Sequence, residues 1–369
     1  MASFQKRGKT WQYTVSRRVN GKSKPIRKGG FRTKKEAQVA AEVENKLNKG
    51  IVPHLKLEPF DEYFEFLLNL YKPHIGKNTR NRYLTILGTI KEYFGSKPIQ
   101  HIKRSEYQEF LNDYGKSKSK ATVRKLNSHI RSCVQDALED GVVTRDFTRK
   151  VKLSGLEPKK DSEKHLEFDE SIELLNYVQK KIDEGLSYLV ILLGLTSGMR
   201  FGEMVGLTRK DFDFINNTIN IDKTWGYTNK IHEGFGPTKN ESSIRIIKMD
   251  EETMKVFEDF FQKTPDNLHR LVFYSPSSKY KVISNGAVNK TLREALTNLD
   301  IDHISVHGLR HTHASAMIYK KEATLNYISE RLGHADIMTI YNDYSHVMKE
   351  LRAADGESTV KMFASMFAV

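Results

Sequence analysis

Between Phe60 and Ala137 the apolar residues return every three or four positions, and that spacing commits the middle of this chain to helices. Phe60, Tyr63, Phe64, Leu67, Leu70 and Tyr71 form one stripe, and Tyr83, Ile86, Leu87, Ile90 and Phe94 form a second. Leu126, Ile130, Cys133 and Ala137 supply a third. Aromatic rings can stack on bases, but rings at i, i+3, i+4 and i+7 belong to a core-facing helical side. Cys133 reads the same way, as a small buried hydrophobe. It is the single cysteine, which excludes an intramolecular disulfide and a Cys-rich zinc site and fits a reducing compartment.

The flanks follow other periods. At the front, Trp11, Tyr13 and Val15 alternate with polar residues, Asn20-Gly21 marks a turn, and the pattern resumes over Pro25 to Phe31, which predicts a small antiparallel sheet. Thr33 and Glu36 then form a capping box ahead of a helix of about four turns. Lys49 to Pro59 reads as a linker, and residues 150 to 164, with Lys152, Pro158, Lys159, Lys160 and Lys164, as a second, basic one. Beyond Leu166 the pattern is mostly helical, with strand-like stretches at Phe214 to Lys223 and Ser243 to Met249, which predicts an α+β domain. The longest apolar run, Tyr188 to Leu195, falls short of the roughly 18 residues a membrane span needs and reads as a buried helix. The first residues carry no apolar stretch behind their charges, so the expectation is a cytoplasmic protein.

Charge is unevenly spread along this order. The formal net charge is +14, yet residues 1 to 50 hold 14 Lys and Arg against 3 Asp and Glu, residues 51 to 150 hold 18 against 12, and the remainder holds 28 against 31. A basic surplus confined to the first 150 residues points to modules that grip a polyanion, DNA or RNA, in front of a more neutral domain. Lys116, Lys118, Lys120, Arg124 and Lys125 cluster with Ser and Thr near the start of the third helical stripe and suit phosphate contacts.

In the neutral half, unusual groups recur in order: Ser197-Gly198-Met199-Arg200-Phe201-Gly202-Glu203, Pro237-Thr238-Lys239, His307-Gly308-Leu309-Arg310-His311-Thr312-His313, Leu332-Gly333-His334 and Tyr344-Ser345-His346. Singly, each has an ordinary reading: Arg200 can pair with Glu203, and a loop lysine is solvated. His307 and His311 at i, i+4 invite a metal, but the zinc-protease pattern needs Glu after the first His and Gly308 stands there. No Gly-x-Ser-x-Gly elbow and no Walker loop is present, so neither a serine hydrolase nor an ATP site is supported. Together, two arginines, a lysine, histidines and a late tyrosine suit phosphoryl transfer without metal or cofactor. Guanidiniums clamp the non-bridging oxygens and neutralise developing charge. Tyrosine attacks phosphorus and stores the bond as a phosphotyrosine ester, and Lys or His protonates the leaving oxygen.

This ordered set resembles the tyrosine recombinases, the phage-type integrases, over essentially the whole chain. The resemblance implies that Arg200, Lys239, His307, Arg310, His334 and Tyr344 are catalytic, with Glu203 the acidic companion of Arg200 and Lys239 the general acid on a β-hairpin. It implies a multi-domain, mainly α fold with small β elements: an arm-type DNA-binding domain over 1–50 with a three-stranded sheet and a helix, a helical, SAM-like core-binding domain over 56–155, and an α+β catalytic domain with a C-terminal tail over 165–369. It further implies site-specific integration and excision of a mobile element or prophage through a 3′-phosphotyrosine intermediate. The implied partners are double-stranded DNA at core and arm sites, three more copies of the chain in a tetramer, and an excision factor.

Gly308 stands where many members carry Asp, and Glu241 where many carry a second basic residue. Tyr341, three residues before Tyr344, is the runner-up nucleophile, and His311 and His313 read as structural or supporting. Other readings are a Xer-like resolvase, a type IB topoisomerase-like enzyme acting as a monomer, and a DNA-binding regulator that keeps the scaffold without the chemistry. The last residues, including Val360, Met362, Phe363, Met366, Phe367 and Val369, are apolar enough to require cover, in cis or on a neighbouring protomer.

Overall fold

The structure is a computed structural model, and it describes the backbone of residues 2–16, 18–19, 22–48, 57–157, 164–229 and 231–366. Contacts divide the chain into two compact units, Met1–Pro158 and Lys159–Val369. The expected class, mainly helical with small antiparallel sheets, is the one observed.

The first unit opens with β1 (Ala2–Arg7) and β2 (Thr10–Val15), followed by the short pair β3 (Arg18–Val19) and β4 (Lys22–Ser23), then β5 (Ile26–Phe31) and helix α1 (Lys34–Asn48). β1, β2 and β5 form one antiparallel sheet with β2 central. Alternation along β2 turns Tyr13 and Val15 inward, where Ala41 of α1 covers them. Tyr13 and Lys28 both bond the Glu44 carboxylate, at 3.1 and 2.8 Å, tying α1 to the sheet. Thr33 caps α1 as expected, accepting from the Glu36 N–H, while Glu36 reaches back to the Arg32 N–H. The Asn20-Gly21 turn and residues 49–56 of the first linker lie outside the described residues.

Four helices follow: α2 (Phe60–Tyr71), α3 (Lys77–Phe94), α4 (Arg104–Gly115) and α5 (Lys120–Glu139). Their stripes meet in one core around Phe60, Ile90, Tyr107, Phe110 and Ile130. The α2 stripe needs correction. Leu68 is buried, whereas Leu70 and Tyr71 are 52% and 62% exposed. At 100° per residue Leu70 turns off the Phe60 face, and Tyr71, in phase with it, is the last residue of the helix and lies past its packed length. The second linker also starts late. Residues 151–157 are strapped to the first unit: Lys120 N–H donates to Leu156 O at 3.0 Å, Leu156 N–H donates to Lys118 O at 2.9 Å, and Gln108 bonds the Lys152 backbone in both directions. Residues 158–163, with Lys159 and Lys160, lie outside the described residues.

The second unit contains α6 (Phe168–Lys180), α7 (Leu186–Ser197), the single turn α8 (Phe201–Met204), β6 (Phe212–Asp213), β7 (Thr218–Ile221), β8 (Lys223–Trp225), β9 (Phe235–Pro237), β10 (Arg245–Lys248), α9 (Glu251–Lys263), α10 (Asn285–Asn298), α11 (Val306–Lys320), α12 (Leu325–Leu332) and α13 (Met338–Met366). The expected apolar run is α7, buried on all sides from Leu189 to Leu193 between α6, α10 and α11. Sheet order is β10-β7-β6, with β8 and β9 a separate antiparallel pair. Among the described residues no helix is long and apolar enough to cross a membrane.

Candidate active site

Two helix ends aim the key side chains. α7 stops at Gly198 (φ +67°) and α12 at Gly333 (φ +66°), both left-handed, a conformation glycine takes without penalty. Both are also crowded: a Cβ on Gly198 would lie 2.7 Å from His313 and Leu332 side-chain carbons, and one on Gly333 would lie 2.9 Å from Arg245 Nη1. The chain therefore reverses tightly at each, placing Arg200 just past one end and His334 just past the other.

Arg200 donates from Nη1 to Glu203 Oε1 at 2.7 Å and to Ser243 Oγ at 3.2 Å, and from Nη2 to Gly333 O at 3.1 Å. Glu203 is 1% exposed and takes a second guanidinium, Arg245 Nη2 at 3.0 Å from Oε2. Burial would push this carboxyl up, but Arg245 and Arg200 outweigh it and hold it below the ordinary carboxylate range. Arg310, on α11, is buried. Its Nη1 donates to Gly198 O at 2.8 Å, and its Nη2 is buried with no hydrogen-bond partner among the described residues. Burial, followed by repulsion from Arg200, lowers its pKa to about 9, so it remains a cation at neutral pH. His334 Nδ1 is likewise buried without a partner. Burial and then the cations Arg310 and Arg200 lower its pKa to about 4. A group of arginines facing one carboxylate, with an unanswered guanidinium nitrogen and an unanswered imidazole nitrogen, has the chemistry of an oxyanion site.

Tyr344 reaches the same cluster from α13. It is 2% exposed, and it kinks that helix, with φ −119° and ψ 15°. Its Oη lies 2.9 Å from His311 Nδ1. Tyr341, one turn earlier, is 43% exposed. His307 is exposed at the start of α11, its ring 5.0 Å from that of His311 and nearly perpendicular to it. Lys239 lies exposed on the loop between β9 and β10, and among the described residues no hydrogen bond or ion pair joins it to the cluster. The base of that loop is nevertheless tied in, because Ser243 Oγ donates to the Asn240 side chain as well as accepting from Arg200. His307 and His311 are not part of any group of three or more His, Cys, Asp or Glu able to hold a metal among the described residues.

Three contributors lay beyond the sequence reading. Arg245 and Ser243 sit on or next to β10, where Ile244 and Ile246 point outward at 56% and 69% exposure while Ser243, Arg245 and Ile247 point in. An arginine at the inward register of an isoleucine strand was the available signal. Arg331 of α12 is the third. It donates to His313 Nε2 at 3.1 Å and to the Lys248 and Thr196 carbonyls, bracing α12 against β10 and α7.

In the first unit, Lys120, Arg124 and Lys125 lie on the first two turns of α5 and Lys116 and Lys118 on the loop before it, all solvent-facing except the half-buried Lys120. Lys116 is held by Asp113 at 2.6 Å.

Residues 164–350 match the family model described as the phage integrase family. This chain is a member of that family, the tyrosine recombinases. It is a tyrosine-type site-specific recombinase, an integrase, and its family breaks and rejoins DNA through a 3′-phosphotyrosine linkage. Residues 3–47 of the recombinase match an arm DNA-binding domain and residues 59–114 the N-terminal SAM-like domain of phage integrases. It is similar to a XerC-like tyrosine recombinase of Caldanaerobacter subterraneus subsp. tengcongensis, 26% identical over 98% of each chain. It also resembles the integrase of Staphylococcus phage L54a, 24% identical over 84% of this chain and 94% of the phage protein. Its fold is that of the Tn1549 transposon integrase solved with circular intermediate DNA, with a TM-score of 0.66 and 19% identity over 82% of this chain and 99% of the other.

Proposed function

We propose that this recombinase integrates and excises a mobile element or prophage, with Tyr344 as nucleophile and Arg200, Arg310, His307 and His334 as the phosphate clamp. Arg310 Nη2 and His334 Nδ1, buried and without a hydrogen-bond partner among the described residues, carry this reading. A scissile phosphodiester supplies the acceptor each lacks, and Arg200, braced by Glu203 and Ser243, faces the same oxygens. Tyr344 Oη bonds to phosphorus as the bond to the 5′ oxygen breaks. Lys239, on the loop anchored through Ser243, gives that oxygen its proton, which requires the loop to fold in over bound DNA. The negative charge gained by the non-bridging oxygens is met by preorganised guanidiniums, worth several kcal/mol in such sites.

Residues 1–50 and 56–155 serve as arm-binding and core-binding domains, the latter through Lys116, Lys118, Lys120, Arg124 and Lys125 on phosphates, and 165–369 as the catalytic domain. Strand exchange is the work of a homotetramer in the cytoplasm, and an excision factor sets direction. Val360, Met362, Phe363 and Met366 are between 48% and 69% exposed, and their apolar surface suits a neighbouring protomer as cover. The test is a nicked suicide duplex carrying the core site. Wild type and Tyr341→Phe form a covalent adduct that survives a denaturing gel, and Tyr344→Phe forms none. An adduct with Tyr344→Phe would refute the assignment.

A further inference from the structure

The phenol of Tyr344 must lose a proton as it attacks, and the structure places an imidazole nitrogen in contact with it. Nδ1 of His311 lies 2.9 Å from Tyr344 Oη. His311 follows Arg310 and sits one turn beyond His307, so His307, Arg310 and His311 share one side of α11. His313, two residues on, points elsewhere and is engaged by Leu195 O and Arg331. Among the other groups of the cluster, the proposed function gives His307 and His334 to the phosphate, and His334 Nδ1 has no hydrogen-bond partner among the described residues. Both Glu203 oxygens are held by guanidiniums, and Lys239 is exposed on its loop.

We infer that His311 is the general base of strand cleavage, a catalytic residue that takes the Tyr344 proton on Nδ1. The inference rests on Tyr344 being the nucleophile. In the forward step the Tyr344 Oη–phosphorus bond forms and the phosphorus–5′ oxygen bond breaks. The phenolic proton passes to His311 Nδ1, while the 5′ oxygen receives a separate proton from Lys239. In rejoining, the 5′ hydroxyl attacks phosphorus and gives its proton to the neutral Lys239 amine left by the forward step, while the imidazolium returns its proton to the departing phenolate. Burial, then His307 and Arg310, keep the free imidazole neutral, and in its Nε2–H tautomer Nδ1 accepts from the Tyr344 hydroxyl. A phosphodiester on Arg310 offsets one of those cations, so His311 becomes more basic as substrate binds.

Two substrates separate base from acid. In a suicide duplex with a bridging 5′ sulfur the leaving group is a thiol with a pKa near 8.5, which departs without a donated proton. His311→Gln and His311→Asn are expected to cleave both the oxygen and the sulfur duplex about 10²- to 10⁴-fold more slowly than wild type, the range of general-base catalysis. Lys239→Ala should be slow on oxygen and restored on sulfur. DNA binding by gel shift and the unfolding midpoint of both His311 variants should match wild type. Cleavage of the oxygen duplex within threefold of wild type by either His311 variant would overturn the inference, as would restoration on sulfur. An adduct formed by Tyr344→Phe in the same assay would instead overturn the nucleophile on which it rests.

Discussion

Arg245 and Arg200 hold opposite oxygens of one buried carboxylate, Nη2 of the first 3.0 Å from Glu203 Oε2 and Nη1 of the second 2.7 Å from Oε1. Removing the carboxylate leaves two guanidiniums facing each other in a dry site, and breaking a buried pair in this way costs about 3–5 kcal/mol. Glu203→Gln should lower the unfolding free energy of the second unit by about that amount at pH 7. Denaturant titration followed by Trp225, buried in this unit, measures it. Because the folded carboxyl titrates below its ordinary 4.5, its stabilisation is fully present above pH 4.5 and is lost as pH falls through the lower folded value. The gap between wild type and variant should therefore stay constant from pH 7 to 5 and narrow under stronger acid. A gap that widens on acidification would contradict this.

Gly308 gives a steric prediction. A Cβ there would lie 2.7 Å from Lys164 O and 2.9 Å from Ile304 Cβ, both on backbone or close to it. A side chain at this position is therefore disfavoured in this chain. Gly308→Ala should destabilise by about 1–3 kcal/mol, the ordinary cost of overpacking. Thermal unfolding decides it, and an unchanged midpoint would show that the Lys164 segment yields.

Much of this architecture is legible in the sequence because its helices are long and their stripes regular. The Phe60, Ile90 and Ile130 faces and the Tyr188 to Leu195 run are packed where periodicity puts them. Local rules fail where a tertiary partner overrides them. Around β10 three isoleucines compete for the inner face, and Glu203 and Ser243 turn Arg245 inward with Ile247, leaving Ile244 and Ile246 out. His311 looks like a supporting residue until α13, 33 positions later, brings Tyr344 onto its Nδ1. No spacing rule reports a contact of that range.

His313 makes acid sensitivity testable. Its Nδ1–H donates to Leu195 O at 2.7 Å and its Nε2 accepts from Arg331 at 3.1 Å, so both nitrogens are used in the neutral form. Burial, then Arg331, lowers its pKa to about 3. The folded state thus binds fewer protons than the unfolded chain between the ordinary 6.5 and 3, and stability present above pH 6.5 drains away as pH falls through that window. The slope is at most about 1.4 kcal/mol per pH unit for this group. His313→Asn, which can still donate to Leu195 O, should show a shallower loss between pH 6.5 and 5 than wild type. Equal slopes would assign the sensitivity to other groups.

The proposed grip on DNA predicts a salt signature that distinguishes neighbouring lysines. Each phosphate neutralised by a free cation contributes about −0.9 to the slope of log K against log salt. Lys125 and Arg124 are exposed on α5 without an ion pair among the described residues, whereas Lys116 forms a pair with Asp113 at 2.6 Å. Lys125→Gln and Arg124→Gln should each reduce the magnitude of the slope by nearly one and weaken binding similarly on specific and nonspecific duplexes, as phosphate contacts do. The double substitution Lys116→Gln with Asp113→Asn removes a neutral pair and should reduce the slope by less than either, because Lys116 reaches a phosphate only by giving up Asp113. Fluorescence anisotropy across a salt series on the intact chain reads all three. A slope unaffected by Lys125→Gln or Arg124→Gln would remove the start of α5 from the DNA interface.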